Sequence, residues 1–427
     1  MARSLTPRDC HALMNQLVKQ ATGQQGITVV DSSTFASAGE LVLGTGLENV
    51  LDSLSIVLGR TFMAVRPYNA KLQIINALNT NMYTNRLRKI SFYSRNAQAS
   101  GDFNTQLYTN LANGFDNGSN PDDGTPQSTA SMWEQNAPIP LEMNFAGSST
   151  WEDSTTIYEY QLKVAFRSEA EFGEFVSGIM TEKGNDIESQ KEAFNRMCIL
   201  NYIAGLYDMN STGTRINVTN AFNQRYGTNY TSAELRNEHT TDFLEFFVSL
   251  FKITSDYMTN RSANYHWSPD KEDAAGNDLV ILRHTPKDRQ RFLYFSPLFT
   301  EAKTKVFPEI FNPQYLNLEA GEGVTYWQSI NTPTKINVTP AIPDKSTGIQ
   351  TAGDNVELEY VIGVLYDVDA MMIDYQLDTA ATTPLEARKH YRNMWWSFAK
   401  NAINDFTENG IIFYMADNEP IVSNDNN

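Results

Sequence analysis

Cysteine is nearly absent: Cys10 and Cys198 are the only two, far apart and without a CxxC pair. That argues against a disulfide framework and against a thiolate zinc site. Long apolar runs are also missing. Nothing approaches the roughly 18 residues of a membrane span, and MARSLTPRDCHALMNQLVKQ lacks the apolar core of a secretory signal. Cytoplasmic synthesis and no membrane partner are expected. Positive charge is scarce, with 33 Lys and Arg against 50 Asp and Glu and a net charge of −17. General nucleic-acid binding needs a concentrated basic surface and is not expected. The five histidines, His11, His239, His266, His284 and His390, fall into no metal-ligand spacing. No GxSxG, P-loop or strand-borne GxGxxG occurs. Gly44-Thr45-Gly46 precedes a helical pattern and resembles an anion cradle, but without a P-loop lysine it reads as an arm joint. Asp367-Val368-Asp369, with Asp374 nearby, lacks the glycine and downstream glutamate of a calcium loop and reads as a turn. No nucleophile, base and oxyanion hole assemble, so no catalytic residue, cofactor or metal is expected.

What is abundant is apolar and aromatic. Hydrophobic residues make up 41%, with 23 Phe, 20 Tyr and 6 Trp, while charged residues reach only 19%. This composition supplies a core and large anchors for interfaces. The central stretch is Arg167 to Tyr207. Ser168 and Glu171 have capping-box spacing, and Phe172, Phe175, Val176, Ile179 and Met180 fall on one helical stripe. Gly184-Asn185 interrupts, and Asp186 can cap a second helix. Its stripe is Ile187, Lys191, Phe194, Cys198, Tyr202 and Leu206, with Lys191 snorkelling. The expectation is a short helix to 183 and a long one from about 186.

Elsewhere the spacing predicts a helix over 1–20 with Ala12, Leu13, Leu17 and Val18 on its apolar side, and a polar, Gly-rich arm over 22–46. It predicts a helix over Leu47–Leu58 and a strand over Thr61–Pro67. Leu87–Tyr93 and Thr156–Phe166 read as the two strands of a long excursion, the second alternating cleanly. Between them lies a Gly-, Asn- and Asp-rich stretch too long for an ordinary connection. Trp133, Met143, Phe145 and Trp151 argue against plain disorder there. Arg86, Arg88, Lys89 and Arg95 form the densest basic cluster, interleaved with Phe92 and Tyr93. In so acidic a chain the favoured reading is pairing with carboxylates of another subunit; nucleic-acid contact and ordinary solvated arginines are the alternatives. Asn210–Tyr230 reads as irregular. Ser232–Met258 reads as one helix or two with a break near Thr240, its stripe including Phe243, Phe247, Leu250, Phe251 and Ile253. Strands are expected at Leu279–Arg283, Arg291–Phe295, Thr325–Ile330 and Lys335–Val338, a helix at Pro297–Lys305, and a loop at Glu319–Gly323. Val356–Tyr366 reads as a buried strand, and Ala370–Leu377 returns after the Asp-rich turn. Tyr391–Ala399 and Gly410–Met415 close the chain before a polar tail.

The order of these segments resembles a family: tailed-phage major capsid proteins of the HK97 fold, most similar to those of phi29-type short-tailed phages. Four stretches carry the resemblance: the arm before LENVLDSL, the two-stranded excursion, FGEFVSGIM followed by ESQKEAFNRMCILNYIAGL, and the ending VIGVLYDVDAMMIDYQL…HYRNMWWSFAKNAINDF…GIIFYM. The resemblance implies an α+β chain divided into an N-terminal arm (1–46), a peripheral-domain start (47–85), an extended hairpin or E-loop (86–166), a peripheral domain with a spine helix (167–208), an axial domain (209–355) and closing strands with a tail (356–427). It implies self-assembly into hexamers and pentamers of an icosahedral shell that encloses double-stranded DNA without sequence-specific binding. Separate scaffolding, portal or decoration proteins are the implied partners. The shell would be virion material assembled in the bacterial cytoplasm. Inter-subunit contacts are expected at Arg86, Arg88, Lys89, Arg95, Trp133, Phe145 and Trp151, and a spine-helix core at Phe194, Cys198 and Tyr202. Because the excursion's apolar anchors lack evident strand partners, deleting 100–150 is expected to spare the core. The rival readings are a soluble enzyme or glycan-binding protein with an aromatic-rich groove, and another virion component such as a portal or tail protein.

Overall fold

The computed structural model describes residues 7–22, 34–35, 37–38, 72, 75–78, 86–94, 138–147, 149–158, 169–209, 213–270, 280–305 and 321–417. The expected helix at 47–58, the strand at 61–67, most of the arm, Arg95, Trp133 and the tail after Glu419 lie outside these residues.

Helix α1 (Pro7–Thr22) starts on the proline, where a missing N–H costs nothing. Met14, Leu17 and Val18 are buried, and Ala12 is exposed rather than on the apolar side. Strands β1 (Asn76–Leu78), β2 (Arg86–Phe92), β3 (Pro140–Ala146) and β4 (Ser149–Tyr158) follow. Helix α2 (Glu169–Asp208) runs 40 residues without a break, which corrects the expected interruption at Gly184-Asn185. A helical glycine costs about 1 kcal/mol relative to alanine, less than the roughly 1.5–3 kcal/mol from burying one large apolar side chain. The stripe wins: Ile187, Phe194, Cys198, Tyr202 and Leu206 are buried.

Asn210–Tyr230 is not wholly irregular. It holds β5 (Arg215–Asn217) and α3 (Val218–Tyr226). Asn217 Oδ1 accepts from Thr219 N at 3.1 Å and Asn220 N at 3.4 Å, and Gly227 ends the helix in the left-handed region. Helix α4 (Ser232–Asn237) has a full Thr231–Glu234 capping box, and α5 (Thr240–Met258) follows the expected break. Ile253 points outward at 46% exposure; Leu244, Val248 and Met258 complete the buried face instead. Of the strand expected at Leu279–Arg283, the described residues 280–283 form isolated bridges at Val280 and Arg283. A 3-10 turn at Lys287–Arg289 leads into β6 (Gln290–Phe295) and α6 (Ser296–Lys305). The glycines at 321 and 323 belong to β7 (Gly321–Val324), parallel to β6, and Thr325–Ile330 is not a strand.

Short β8 (Ile336–Val338), β9 (Ala341–Pro343) and β10 (Gln350–Ala352) precede β11 (Val356–Leu358) and β12 (Tyr360–Asp367), so the expected single strand is broken at Glu359. Strands β13 (Met371–Thr382), β14 (Tyr391–Asn404) and β15 (Gly410–Met415) close the described chain. The class is α+β, as expected. The turn at Asp367 forms, with Ala370 N donating to Asp367 O at 2.9 Å, but β13 does not return beside β12. It joins a different sheet.

Contacts divide the chain into two units. The first comprises Met1–Asn85, Ala146–Met197 and Met372–Ala402. Its sheet has the order β1-β13-β14-β4, with β14 antiparallel to β4 from Tyr391↔Tyr158 to Lys400↔Ser149. Arg392, Met394, Trp396 and Phe398 are buried at alternate positions of β14, the period-2 signature of a strand with one covered face. Trp151 of β4 meets the edge of Phe194 at 6.3 Å between ring centroids.

The second unit comprises Arg86–Phe145, Cys198–Met371 and Ile403–Asn427. Its sheet has the order β5-β15-β12-β6-β7. Every residue of β12 and β15 is buried, as continuous apolar runs require when both faces are covered. On one face, Phe251 of α5 packs on Phe292 at 4.5 Å and Phe247 on Phe413 at 5.5 Å. On the other, Tyr202 meets Tyr366 at 6.2 Å and Tyr207 meets Tyr414 at 5.4 Å. Each fully buried large apolar side chain of this layer contributes roughly 1.5–3 kcal/mol relative to leaving it exposed.

Candidate assembly surface

Strand β2 alternates, and the two sides meet different surroundings. Lys89, Ser91 and Tyr93 face the body of the second unit, whereas Arg88, Ile90 and Phe92 face out, Ile90 at 50% and Phe92 at 58% exposure. Its strand partner is β3, and together they form a two-stranded ribbon with no third strand among the described residues. This corrects the sequence reading, which paired 87–93 with 156–166. Strand β4 instead belongs to the four-stranded sheet, and 159–166 lies outside the described residues. Deletion of 100–150 would therefore remove β3 and the first residues of β4, elements with strand partners in their own chain.

The inner side of the ribbon is held chiefly by polar groups. Lys89 Nζ bonds Asp405 Oδ2, lies 2.5 Å from Glu408 Oε1 and donates to Thr407 Oγ1 at 3.1 Å. Arg283 donates from Nη2 to Ser91 Oγ at 2.6 Å and from Nε to Thr407 O at 3.1 Å, and its guanidinium is 3.8 Å from Glu408. Ser94 bridges Val280, and Arg261 donates to Ser94 Oγ at 2.9 Å. One small apolar cluster, Tyr93 and Ile281 with Ile139 and Leu141, completes the seat. Two cations thus face two carboxylates, the balance that makes partial burial of charge tolerable.

Burial raises the Glu408 carboxyl against the opposing pull of Lys89 and Arg283. Beneath the cluster, His266 is buried between Ile281 O at 2.8 Å and Asn409 Oδ1 at 3.1 Å. Burial lowers its imidazole to about 4, the hydrogen bonds oppose the shift, and the nearby cations Arg283 and Lys89 add to it.

The expected contact residues are distributed as follows. Arg86 opens β2, and Arg88 pairs with Glu142 of β3 at 2.7 Å on the outer face. Within this chain, Arg88 and Lys89 meet the carboxylates of Glu142 and of Asp405 and Glu408. Phe145 is half-buried on β3, and Trp151 stands opposite Phe398 in the four-stranded sheet. Phe194, Cys198 and Tyr202 are buried on α2, as expected. Cys198 Sγ donates to Asn404 Oδ1 at 3.0 Å, and burial pushes its thiol up to about 12. Sequence reasoning missed Asp405, Thr407, Glu408 and Arg283. The available signal was Asp405-Phe406-Thr407, an Asx-turn pattern in which Thr407 N donates to Asp405 Oδ1 at 3.0 Å.

A second surface feature is a groove of about 400 Å³ between α3 and α5, lined by Arg225, Phe246, Leu250 and Ile253 among others. Among the described residues no group of three His, Cys, Asp or Glu could hold a metal ion, and no helix is long and apolar enough to cross a membrane.

No family model matches the sequence, and no curated protein matches it. Solved structures do resemble it. A chain of the capsid structure of Staphylococcus phage Andhra is 10% identical, with 81% of this chain and 83% of that chain covered and a TM-score of 0.48. A chain of the capsid structure of the cyanophage P-SCSP1u is 12% identical, covering 81% and 87%, with a TM-score of 0.41. A chain from the asymmetric unit of the bacteriophage PhiM1 mature capsid is 8% identical, covering 83% and 89%, with a TM-score of 0.39.

Proposed function

We propose that this chain is a major capsid protein that assembles with copies of itself into the icosahedral shell enclosing a phage double-stranded DNA genome. The fold it would share is that of HK97-like capsid subunits, and the narrower likeness to phi29-type short-tailed phages rests on segment order in the sequence. The observation that carries the proposal is the β2–β3 ribbon. A two-stranded ribbon that presents Ile90 and Phe92 half-exposed on one face, and that has no third strand among the described residues, offers apolar surface and strand edges to another protein. The 40-residue α2 supports the same reading as a candidate spine.

In this reading 86–166 lies over a neighbouring subunit and 1–46 reaches another. Residues 47–85 and 167–208 serve a peripheral domain, 209–355 an axial domain, and 356–427 the closing strands and tail. Phe145 and Trp151, with Arg95 and Trp133, contribute further contacts along the excursion. Many moderate contacts repeated by symmetry give a closed shell while each alone stays reversible. A net charge of −17 suits a wall that does not hold packaged DNA by its phosphates. Scaffolding, portal and decoration functions fall to other proteins, and the chain itself performs no catalysis.

The test is I90S/F92S. Both side chains point outward, so the monomer should fold with its stability changed by no more than about 0.5 kcal/mol. Assembly, followed by light scattering, should fall sharply. Unchanged assembly of a folded variant would remove the ribbon face from the interface.

A further inference from the structure

We infer that the groove between α3 and α5 is a docking site for an acidic amphipathic helix of another protein. The inference stands on the second unit alone and takes nothing from the capsid reading.

Helix α5 is apolar over more of its circumference than its own chain covers. Phe243, Phe247, Phe251 and Met258 are buried, and Phe247 and Phe251 pack on the sheet. A second stripe runs along the neighbouring flank: Phe246, Leu250, Ile253 and Tyr257. The first two are half-buried and the last two exposed. Apolar residues scattered singly on a surface need no explanation, but a contiguous patch marks an interaction site. The steps of four, three and four residues are those of a coiled-coil seam, the spacing that receives another helix. From Phe246 to Tyr257 the stripe runs roughly 16 Å, about three helical turns.

Helix α3 supplies the facing wall. The ring of Phe246 meets the edge of Phe222 at 5.3 Å and lies 5.9 Å from the exposed Tyr226. Beside this cluster Ala221 is small and leaves the hollow of about 400 Å³ open above Leu250 and Ile253. An added strand would need a sheet edge, which two helices do not offer. A helix laid in such a groove uses apolar anchors three and four residues apart.

Charge sets the character of the occupant. Arg225 is the one charged residue lining the groove, and it pairs with no carboxylate among the described residues. In a chain of net charge −17, this cation is a local exception. Arginine and tyrosine beside apolar surface are the residues that carry binding energy once water is excluded, and an arginine closes on a carboxylate with two parallel hydrogen bonds. The occupant that fits has an apolar stripe toward α5 and an Asp or Glu on the flank toward α3. A second copy offering the same face would set Arg225 against an equally cationic groove.

A display library of helical peptides, selected on the full-length protein with folded I253S/Y257S as the counter-target, tests this. Amide protection of β12 and β15 is the folding control. Selected peptides should share apolar residues at three- and four-residue steps and an acidic residue on one flank. In fluorescence anisotropy, R225E and I253S/Y257S should each weaken a selected peptide roughly tenfold or more, and replacing the peptide's acid by lysine should restore binding to R225E. No selected binder, basic peptides, peptides without helical spacing, or equal binding to wild type and both folded variants would overturn the inference. Sedimentation tests the rival occupant: self-association of the wild type that I253S/Y257S abolishes would assign the face to a second copy and overturn it as well. Absence of shells in electron microscopy bears on the capsid reading alone and leaves the groove's assignment standing.

Discussion

The hydroxyl of Tyr202 points at Gly410, and a Cβ at position 410 would overlap Tyr202 Oη. Tyr202 is fully buried, its ring stacks on Phe406 at 5.4 Å, and its Oη has no hydrogen-bond partner. Burial, with Asp405 and other anions nearby, holds its phenol well above the usual range, so it stays neutral. A helix residue and a strand residue are thus fitted to each other by the absence of a side chain.

Removing the orphaned hydroxyl should cost nothing: Y202F is expected to leave stability unchanged or raise it by about 1 kcal/mol, because a buried unpaired hydroxyl is unfavourable. G410A should destabilise by about 1–3 kcal/mol through overpacking, and less in the Y202F background. Chemical denaturation of the four chains measures the coupling directly.

Gly184 gives the opposite expectation for a glycine. It lies within α2, and nothing approaches within 4 Å of where its Cβ would be. G184A should therefore stabilise by roughly 0.5–1 kcal/mol from helix propensity alone. Thermal unfolding checks this, and a fall in Tm would mean that the position is not regular helix.

Acidification should weaken the fold through His266. Its imidazole titrates at about 4 in the folded chain against 6.5 ordinarily, so the unfolded chain binds the extra proton first. Stability is intact above pH 6.5 and is lost as pH falls toward 4, by up to about 3 kcal/mol at 1.36 kcal/mol per unit. Glu408 works the other way. Its folded-state carboxyl is raised, so its contribution is present below the ordinary glutamate range and is lost as pH rises through the folded value. E408Q should therefore steepen the acid-induced loss. Denaturation midpoints measured from pH 4 to 7 separate the two.

Much of this fold was legible as periodicity. The stripe from Ile187 to Leu206 and the apolar runs of β12 and β15 report burial on one face or two, which local spacing encodes directly. Pairing was not legible. Alternation in 87–93 and 156–158 shows that each has an inner face, but nothing local says that β2 meets β3 while β4 meets β14, more than 230 positions away. Helix α3 escaped notice because its composition is polar, although Asn217 and Gly227 marked both ends. The site was half legible: Lys89 stood out by charge, whereas Asp405 and Glu408, 316 and 319 positions distant, stood out by nothing.

The most direct test of the central claim is the size of the purified full-length protein, observed by negative-stain electron microscopy alongside sedimentation, with and without co-expressed scaffold. Self-assembly into a capsid predicts closed, roughly spherical shells or shell-like polydisperse particles built from this chain. A strictly monomeric, compact species at high concentration under every condition would contradict it.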